Sequence, residues 1–367
     1  MRTIAAGAAA SLILFAAGAF AAAPAAVPVA PTPNDIVSAA PASDWLRIDA
    51  ADLMVMDLAP DAKGRARRVV IQLMPAPFSQ GWVGNIRKLV AAKWFDGVAV
   101  VRAQDNYVVQ WGDPDGEDAK KAKQLPGGLR IMPEAEYVTP YQASMFDTVW
   151  SMGSRRPAEE ELVPAPPPPA GWRGFRDPYS DAFAFVRGFP AGMMRDSRTE
   201  WKSKPGYNGA PKLVPVTVAA PSQAWPIHCY GMVGVGRGLS PDTGTGAELY
   251  AVIGQAPRQL DRNIALVGRV IEGMEHLSTM PRGTGPLGFY ETAAERTPIL
   301  SVRLGSEVAG LPAYEYLSTE SRSFAAYVDK RANRKDDFYI QPAGGVDVCN
   351  VPVPVRRVGA VTRPVGK

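Results

Sequence analysis

Two polar residues stand where an apolar strand pair is expected. In the stretch 98–114, VAVVRAQDNYVVQWGDP, Arg102 interrupts one apolar run and Gln110 closes the next. Asp105-Asn106 between them reads as a bend. A half-buried strand alternates apolar and polar residues. A lone fixed cation and a lone neutral amide, eight positions apart, therefore ask for a chemical reason. An edge-strand arginine with its head in water is the plain alternative, but it does not account for Gln110.

The usual nucleophilic and metal chemistries find little support. The chain holds two histidines, His228 and His276, and neither has metal-ligand spacing with Cys, Asp or His. No Gly-x-Ser-x-Gly elbow is present. The stretch 231–246, GMVGVGRGLSPDTGTG, lacks G-x-G-x-x-G and leads into a strand, so it is a poor phosphate cradle. No cofactor and no metal are expected. A formal charge of +4 over 367 residues, without a basic stripe carrying aromatics, gives no case for nucleic acid.

Rotation about an X–Pro bond needs neither nucleophile nor metal. The barrier is about 18–20 kcal/mol and arises from amide resonance. A catalyst needs an apolar pocket for the proline ring and a donor for the prolyl nitrogen as its lone pair is freed. It also needs groups that hold the rest of the peptide, all acting more strongly on the twisted amide than on the planar one. Arginine suits the donor role because it stays charged and presents a fixed fork. Arg102, Gln110 and the nearby Tyr107 form such a set.

The elements that would position them are short strands. Residues 51–58 and 67–74 read as a hairpin turning at 61–64. A helix is expected over 79–92, capped by Ser79, with Trp82, Ile86, Leu89 and Val90 on one face. Strands follow at 98–101, 107–111, 230–236, 248–253, 264–270 and 298–304, with a short helix at 272–280. Many short strands with few helices imply a closed barrel or a sandwich.

Flanking regions differ in composition. MRTIAAGAAASLILFAAGAFA reads as an export signal over 1–21, too short in its apolar part to span a bilayer. No membrane insertion is expected after cleavage, and the mature chain is expected in the periplasm. Residues 22–43 read as an Ala/Pro linker, with structure beginning near Trp45. The Pro- and Gly-rich region 115–227 reads as a long surface insertion in a domain spanning 44–305, with a possible strand at 182–188. Its Pro164–Pro169 run reads as a stiff spacer. Residues 306–367 form a C-terminal extension with a helix over 319–334, placing Leu317, Phe324 and Val328 inward. In an oxidising compartment Cys229 and Cys349 are expected to pair; two free buried thiols is the alternative.

Taken in order, these segments resemble the cyclophilin-type peptidyl-prolyl cis-trans isomerases. The resemblance is carried by RVVIQLMPAPFSQGWVGNIRKLV, by Phe95-Asp96-Gly97, by Val100-Val101-Arg102, by Gln110-Trp111-Gly112-Asp113, and by QLDRNIALVGRVIEGMEHL. It implies a mainly β fold: a closed eight-stranded antiparallel barrel capped by two helices, with the proline site on its outer face. It implies Arg102 as the catalytic arginine, with Gln110 beside it. Tyr107, Val108, Tyr250 and Leu260 would line the pocket, and Gly236, Arg237 and Gly238 the peptide-binding edge. Proline-containing polypeptides would be the substrates. The sequence departs from the family at Glu248, where an ion pair with Arg102 is expected, and at Tyr250, whose hydroxyl needs a buried partner. It departs also at Gln259 and Ile264, where the family has an aromatic and a histidine. A catalytically weak chaperone or peptide-binding module on the same barrel is the second reading.

Overall fold

A computed structural model describes residues 31–141, 149–150, 177, 179–205, 211–334, 336, 338–341 and 345–359. Residues 1–21, read above as an export signal, residues 22–30 of the Ala/Pro stretch and the Pro164–Pro169 run lie outside the described residues.

Eight strands close a barrel: β1 (Leu53–Leu58), β2 (Arg67–Leu73), β3 (Ala99–Ala103), β4 (Val108–Gly112), β5 (Met232–Val235), β6 (Leu249–Val252), β7 (Leu266–Glu272) and β8 (Thr297–Leu304). Around the barrel they run β5-β6-β4-β3-β8-β1-β2-β7, and β7 returns to β5. Every pairing is antiparallel. Closure leaves no open edge in this sheet. The strands read as nearly continuous apolar runs because further layers cover parts of the outer surface.

Two helices pack on the barrel: α2 (Gln80–Ala91) and the short α3 (Met274–Ser278). The expected face of α2 is buried, with Trp82, Ile86, Leu89 and Val90 all at or below 1% exposure. Ser79 does not cap it as expected. It sits in the left-handed region at φ 55° and its side chain makes no cap bond. The Gln80 side chain instead donates back to the Met74 and Phe78 carbonyls. The segment after β4 is held against α2 by Asn85, which donates to Arg130 O and accepts from Arg130 N. Trp82 stacks on Tyr137 at 5.4 Å.

The region read as surface insertion contains a second sheet. Its order is Thr139–Pro140, Pro211–Pro226, Phe189–Pro205, Ala182–Val186, Val149–Trp150. The two-residue turn Arg187-Gly188 has positive φ at both positions, the backbone that a tight hairpin demands. Phe189, Ala191, Met193 and Ile227 are fully buried in the main core, so the base of this sheet is structural rather than a surface loop. Arg269 of β7 ties the layers together. It donates to Gln72 of β2 and to Gly188 O, and its guanidinium stacks 4.8 Å from the Phe189 ring. Burial pulls its pKa down to about 10.

The termini meet in a third unit. Trp45–Arg47, Tyr314–Leu317 and Val355–Arg357 form a three-stranded sheet. Helix α1 (Pro33–Ala39) lies within the stretch expected to be linker. Thr32 and Asp35 close a capping box at its start, and it packs on α4 (Arg322–Ala332). Pro33 suits a first turn because its missing N–H is unpaired there anyway. Ile36 and Val37 then reach the core, which outweighs the stretch's Ala/Pro composition. Phe324 and Val328 of α4 and Leu317 are buried as expected. Cys229 and Cys349 form a disulfide that ties this unit to the start of β5.

Candidate functional site

The β3–β4 hairpin turns at 104–107 and folds β4 back along β3. Arg102 and Gln110 are direct cross-strand partners. Asn106 takes positive φ at the turn, and its side chain accepts from Gln255 N at 2.9 Å. A register shift between Val100 and Arg102 bulges β3 at the site. The loop 283–290 lies along that bulge, with Tyr290 N donating to Val101 O and Gly283 N to Ala103 O.

That loop brings partners no sequence motif announced. Arg102 Nε donates to Leu287 O at 2.7 Å, and the guanidinium lies 5.1 Å from the Phe289 ring. Tyr107 is 5.5 Å away. Arg102 Nη1 donates to Gln110 Oε1 at 3.0 Å, and Nη2 donates to Gln104 Oε1. These bonds use three of the five N–H groups of the fork and leave two. Partial burial lowers the Arg102 pKa, offset by Tyr107 and Glu248; arginine starts so far above neutral pH that it keeps its charge.

Gln110 is 8% exposed and uses both ends of its amide. Its oxygen takes the Arg102 bond, and its Nε2 donates to Glu248 Oε1. The expected ion pair is thus replaced by a relay: the amide stands between cation and carboxylate. Burial raises the Glu248 pKa, and the Gln110 bond partly opposes this.

Next to this chain lies an apolar cluster separate from the main core. Val108, Tyr250 and Val252 are buried, and Tyr107, Leu260 and Ile264 pack on them. Cross-strand pairing brings Gln110 opposite Tyr250 and Val108 opposite Val252. The expected pocket residues Tyr107, Val108, Tyr250 and Leu260 are therefore together, with Val252 an addition. Val252 lies two residues beyond Tyr250 on the same face of β6, a period-2 signal that could have found it. Ile264 stands in the wall as an apolar residue, while Gln259 is exposed.

The Tyr250 hydroxyl has its partner. It lies 2.8 Å from Nε2 of His228, which is fully buried. Gly234 sits opposite Tyr250 on β5, and a Cβ there would collide with the phenol ring. Burial pushes the Tyr250 pKa well above its ordinary value.

The residues expected at the peptide edge follow β5. Gly236 N donates to Glu248 O at 2.8 Å, and a side chain at Gly236 would press on Glu248. Arg237 turns its guanidinium to Asn263 O and Gly238 O. Beyond Glu248 and Phe289 a cavity of about 360 Å³ opens, lined also by Val101, Lys123 and Trp94. Among the described residues no group of three or more His, Cys, Asp or Glu is placed to hold a metal ion. No helix among them is long and apolar enough to cross a membrane.

A sequence model described as cyclophilin type peptidyl-prolyl cis-trans isomerase/CLD matches residues 64–303. No curated protein matches the sequence. Among solved structures, the chain is similar to the cyclophilin AquaCyp293 from Hirschia baltica, with 19% identity and a TM-score of 0.56. That match covers 89% of this chain and 98% of the other. A Cryptosporidium parvum cyclophilin type peptidyl-prolyl cis-trans isomerase, solved with the dipeptide ala-pro, reaches 10% identity and a TM-score of 0.34 over 68% of this chain and 98% of its own. At that score the second likeness carries no weight; the first is one of fold.

Proposed function

The chain belongs to the cyclophilin-type peptidyl-prolyl cis-trans isomerase family, and we propose that it turns X–Pro bonds of exported polypeptides at the surface built from Arg102, Gln110 and Tyr250. The observation that carries this reading is the second apolar cluster, set beside an arginine with donors to spare. The proline ring packs on Val108, Val252 and the Tyr250 face, with Tyr107, Leu260 and Ile264 as walls. The free N–H groups of Arg102 meet the prolyl nitrogen as its lone pair leaves amide resonance. That bond is stronger in the twisted state, so it lowers the barrier. Gln110 fixes the fork from behind. Gly236, Arg237 and Gly238 offer a backbone edge to the peptide. The export reading is supported by the apolar N-terminus and by the disulfide, which persists in oxidising compartments.

One observation favours the second reading, a binding module: every nitrogen of Arg102 already has an acceptor. Exchange of an X–Pro peptide, followed with the mature protein and with Arg102→Ala, separates the two. The isomerase reading expects kcat/KM to fall on the order of 10²–10³-fold, as when one positioned donor is removed. A wild-type rate equal to the uncatalysed one, with peptide still bound, leaves the binding module. N-terminal sequencing of protein from a periplasmic extract tests export; an intact Met1 there would contradict signal cleavage.

A further inference from the structure

The pocket wall of this chain hides a polar group, and a buried chain of side chains accounts for it. Asp261 Oδ1 accepts from the His228 backbone N–H and from Nδ1, both at 2.9 Å. A carboxylate offers only lone pairs, so Nδ1 carries the hydrogen; burial lowers the His228 pKa, and in the neutral imidazole Nε2 is left as an acceptor. The Tyr250 hydroxyl must then donate to Nε2, which turns its hydrogen away from the proline pocket. Asp261 is anchored in turn: Arg258 Nε donates to its Oδ2 at 2.6 Å.

Arg258 reaches outside the family core. Its Nη1 lies 3.3 Å from Asp177 Oδ2 and its Nη2 donates to Ser180 Oγ at 3.1 Å. The Tyr179 and Phe183 rings lie 5.4 and 5.5 Å from its guanidinium carbon. All four residues belong to the inserted region. Tyr179 and Arg258 also line a groove of about 390 Å³ whose other wall includes Tyr107 and Pro257. The inserted segment therefore borders the pocket through that groove and touches its floor through the buried chain.

We propose that Arg258, Asp261 and His228 are positioning residues through which the inserted residues Asp177, Tyr179, Ser180 and Phe183 set the place of the Tyr250 ring in the prolyl pocket. This rests on the isomerase reading of that pocket. Asp177 and Ser180 hold the Arg258 fork, the fork holds Asp261, and Asp261 fixes the imidazole tautomer. The imidazole then pins the phenol against Gly234. A family core without the inserted segment would leave the outer end of Arg258 without these partners.

The test is a double-mutant cycle in X–Pro exchange, since groups acting on one another depart from additivity. His228→Leu is expected to lower kcat/KM about tenfold with Tyr250 in place and by less than about twofold on a Tyr250→Phe background. Asp177→Ala with Ser180→Ala removes the outer partners of the Arg258 fork. It is expected to cost about threefold, again only while Tyr250 keeps its hydroxyl. Equal factors on both backgrounds in an active enzyme overturn the proposal alone. Nitrogen-15 NMR of the wild type gives an arm independent of activity. It should show His228 neutral with hydrogen on Nδ1, and a slowly exchanging Tyr250 hydroxyl proton. Hydrogen on Nε2, or titration near the ordinary value of about 6.5, overturns it. A wild type that neither turns nor binds the peptide overturns the isomerase reading itself, and the role assigned to the chain with it.

Discussion

Two runs of polar side chains meet at facing residues of β4 and β6, Gln110 and Tyr250, and they are built to opposite rules. Arg102–Gln110–Glu248 is half open: its cation keeps two N–H groups unspent, and its carboxylate is only partly buried. Tyr250–His228–Asp261–Arg258 is sealed: each of its members is at or below 8% exposure, and each has a hydrogen-bond partner. The difference separates two tasks. A group that must meet substrate needs spare valence and a path to solvent. A group that must hold a wall in place needs neither, and in a low dielectric any spare polar atom would be costly.

The largest effect expected falls on the sealed side. Cys229 follows His228 in the chain, and Cys349 Sγ lies 3.9 Å from the His228 carbonyl. The disulfide closes a loop of 120 residues. In the loop-entropy picture, Cys229→Ser with Cys349→Ser costs on the order of 4–5 kcal/mol, measurable by urea unfolding. A loss below about 1 kcal/mol would mean that the sealed chain stands by its own packing and the covalent tie is incidental.

Arg102→Ala should do the reverse. Activity falls as stated above, while the unfolding free energy stays within about 1 kcal/mol of wild type, as for partly exposed positions generally. If the variant instead unfolds early, the open chain is structural and the contrast between the two runs collapses. A smaller effect is expected from Phe289→Ala, which removes one ring from Arg102. Cation–π contacts at such sites are worth about 0.5–1 kcal/mol, so kcat/KM should fall about two- to fivefold. No change at all would make the loop 283–290 a bystander.

Much of the open chain was legible, because a hairpin turns a fixed spacing into a contact. Residues 102 and 110 flank a short bend, and period-2 alternation then puts them on one face. The need of Tyr250 for a partner was legible too, but not the partner. His228 lies 22 residues away and arrives through the path of the chain before β5. Phe289 and Leu287 reach Arg102 from a loop more than 180 residues distant, one of them through a backbone oxygen that has no sequence signal. The inserted sheet was hidden by its prolines. Pro211, Pro215 and Pro221 are spaced by even numbers along one strand of the long ribbon. Even spacing turns all three nitrogens to one edge, and among the described residues the outward pairing of this strand, with 139–141, is confined to Ser222, Gln223 and Ala224. An edge strand tolerates proline there, whereas composition alone reads the same residues as loop.

Glu248 offers the finest test of the contrast, since it is the one member of the open run whose charge is in play. Burial raises its pKa above the ordinary value of 4.5. The unfolded chain thus releases this proton before the folded one does. As pH rises from the unfolded value to the folded one, the folded state holds a proton the unfolded state has lost, and stability falls through that window. Above it the cost is constant. Glu248→Gln keeps an amide oxygen for Gln110 Nε2 and cannot ionise. Its unfolding free energy should therefore lose the wild-type decline that sets in as pH rises past about 4.5, with kcat/KM at neutral pH changing by no more than about twofold, as for a substitution that keeps its contacts. Stability curves that run parallel across that range would show Glu248 fully relieved by solvent. The open run would then be open along its whole length, and Gln110 would stand between a cation and an ordinary surface carboxylate.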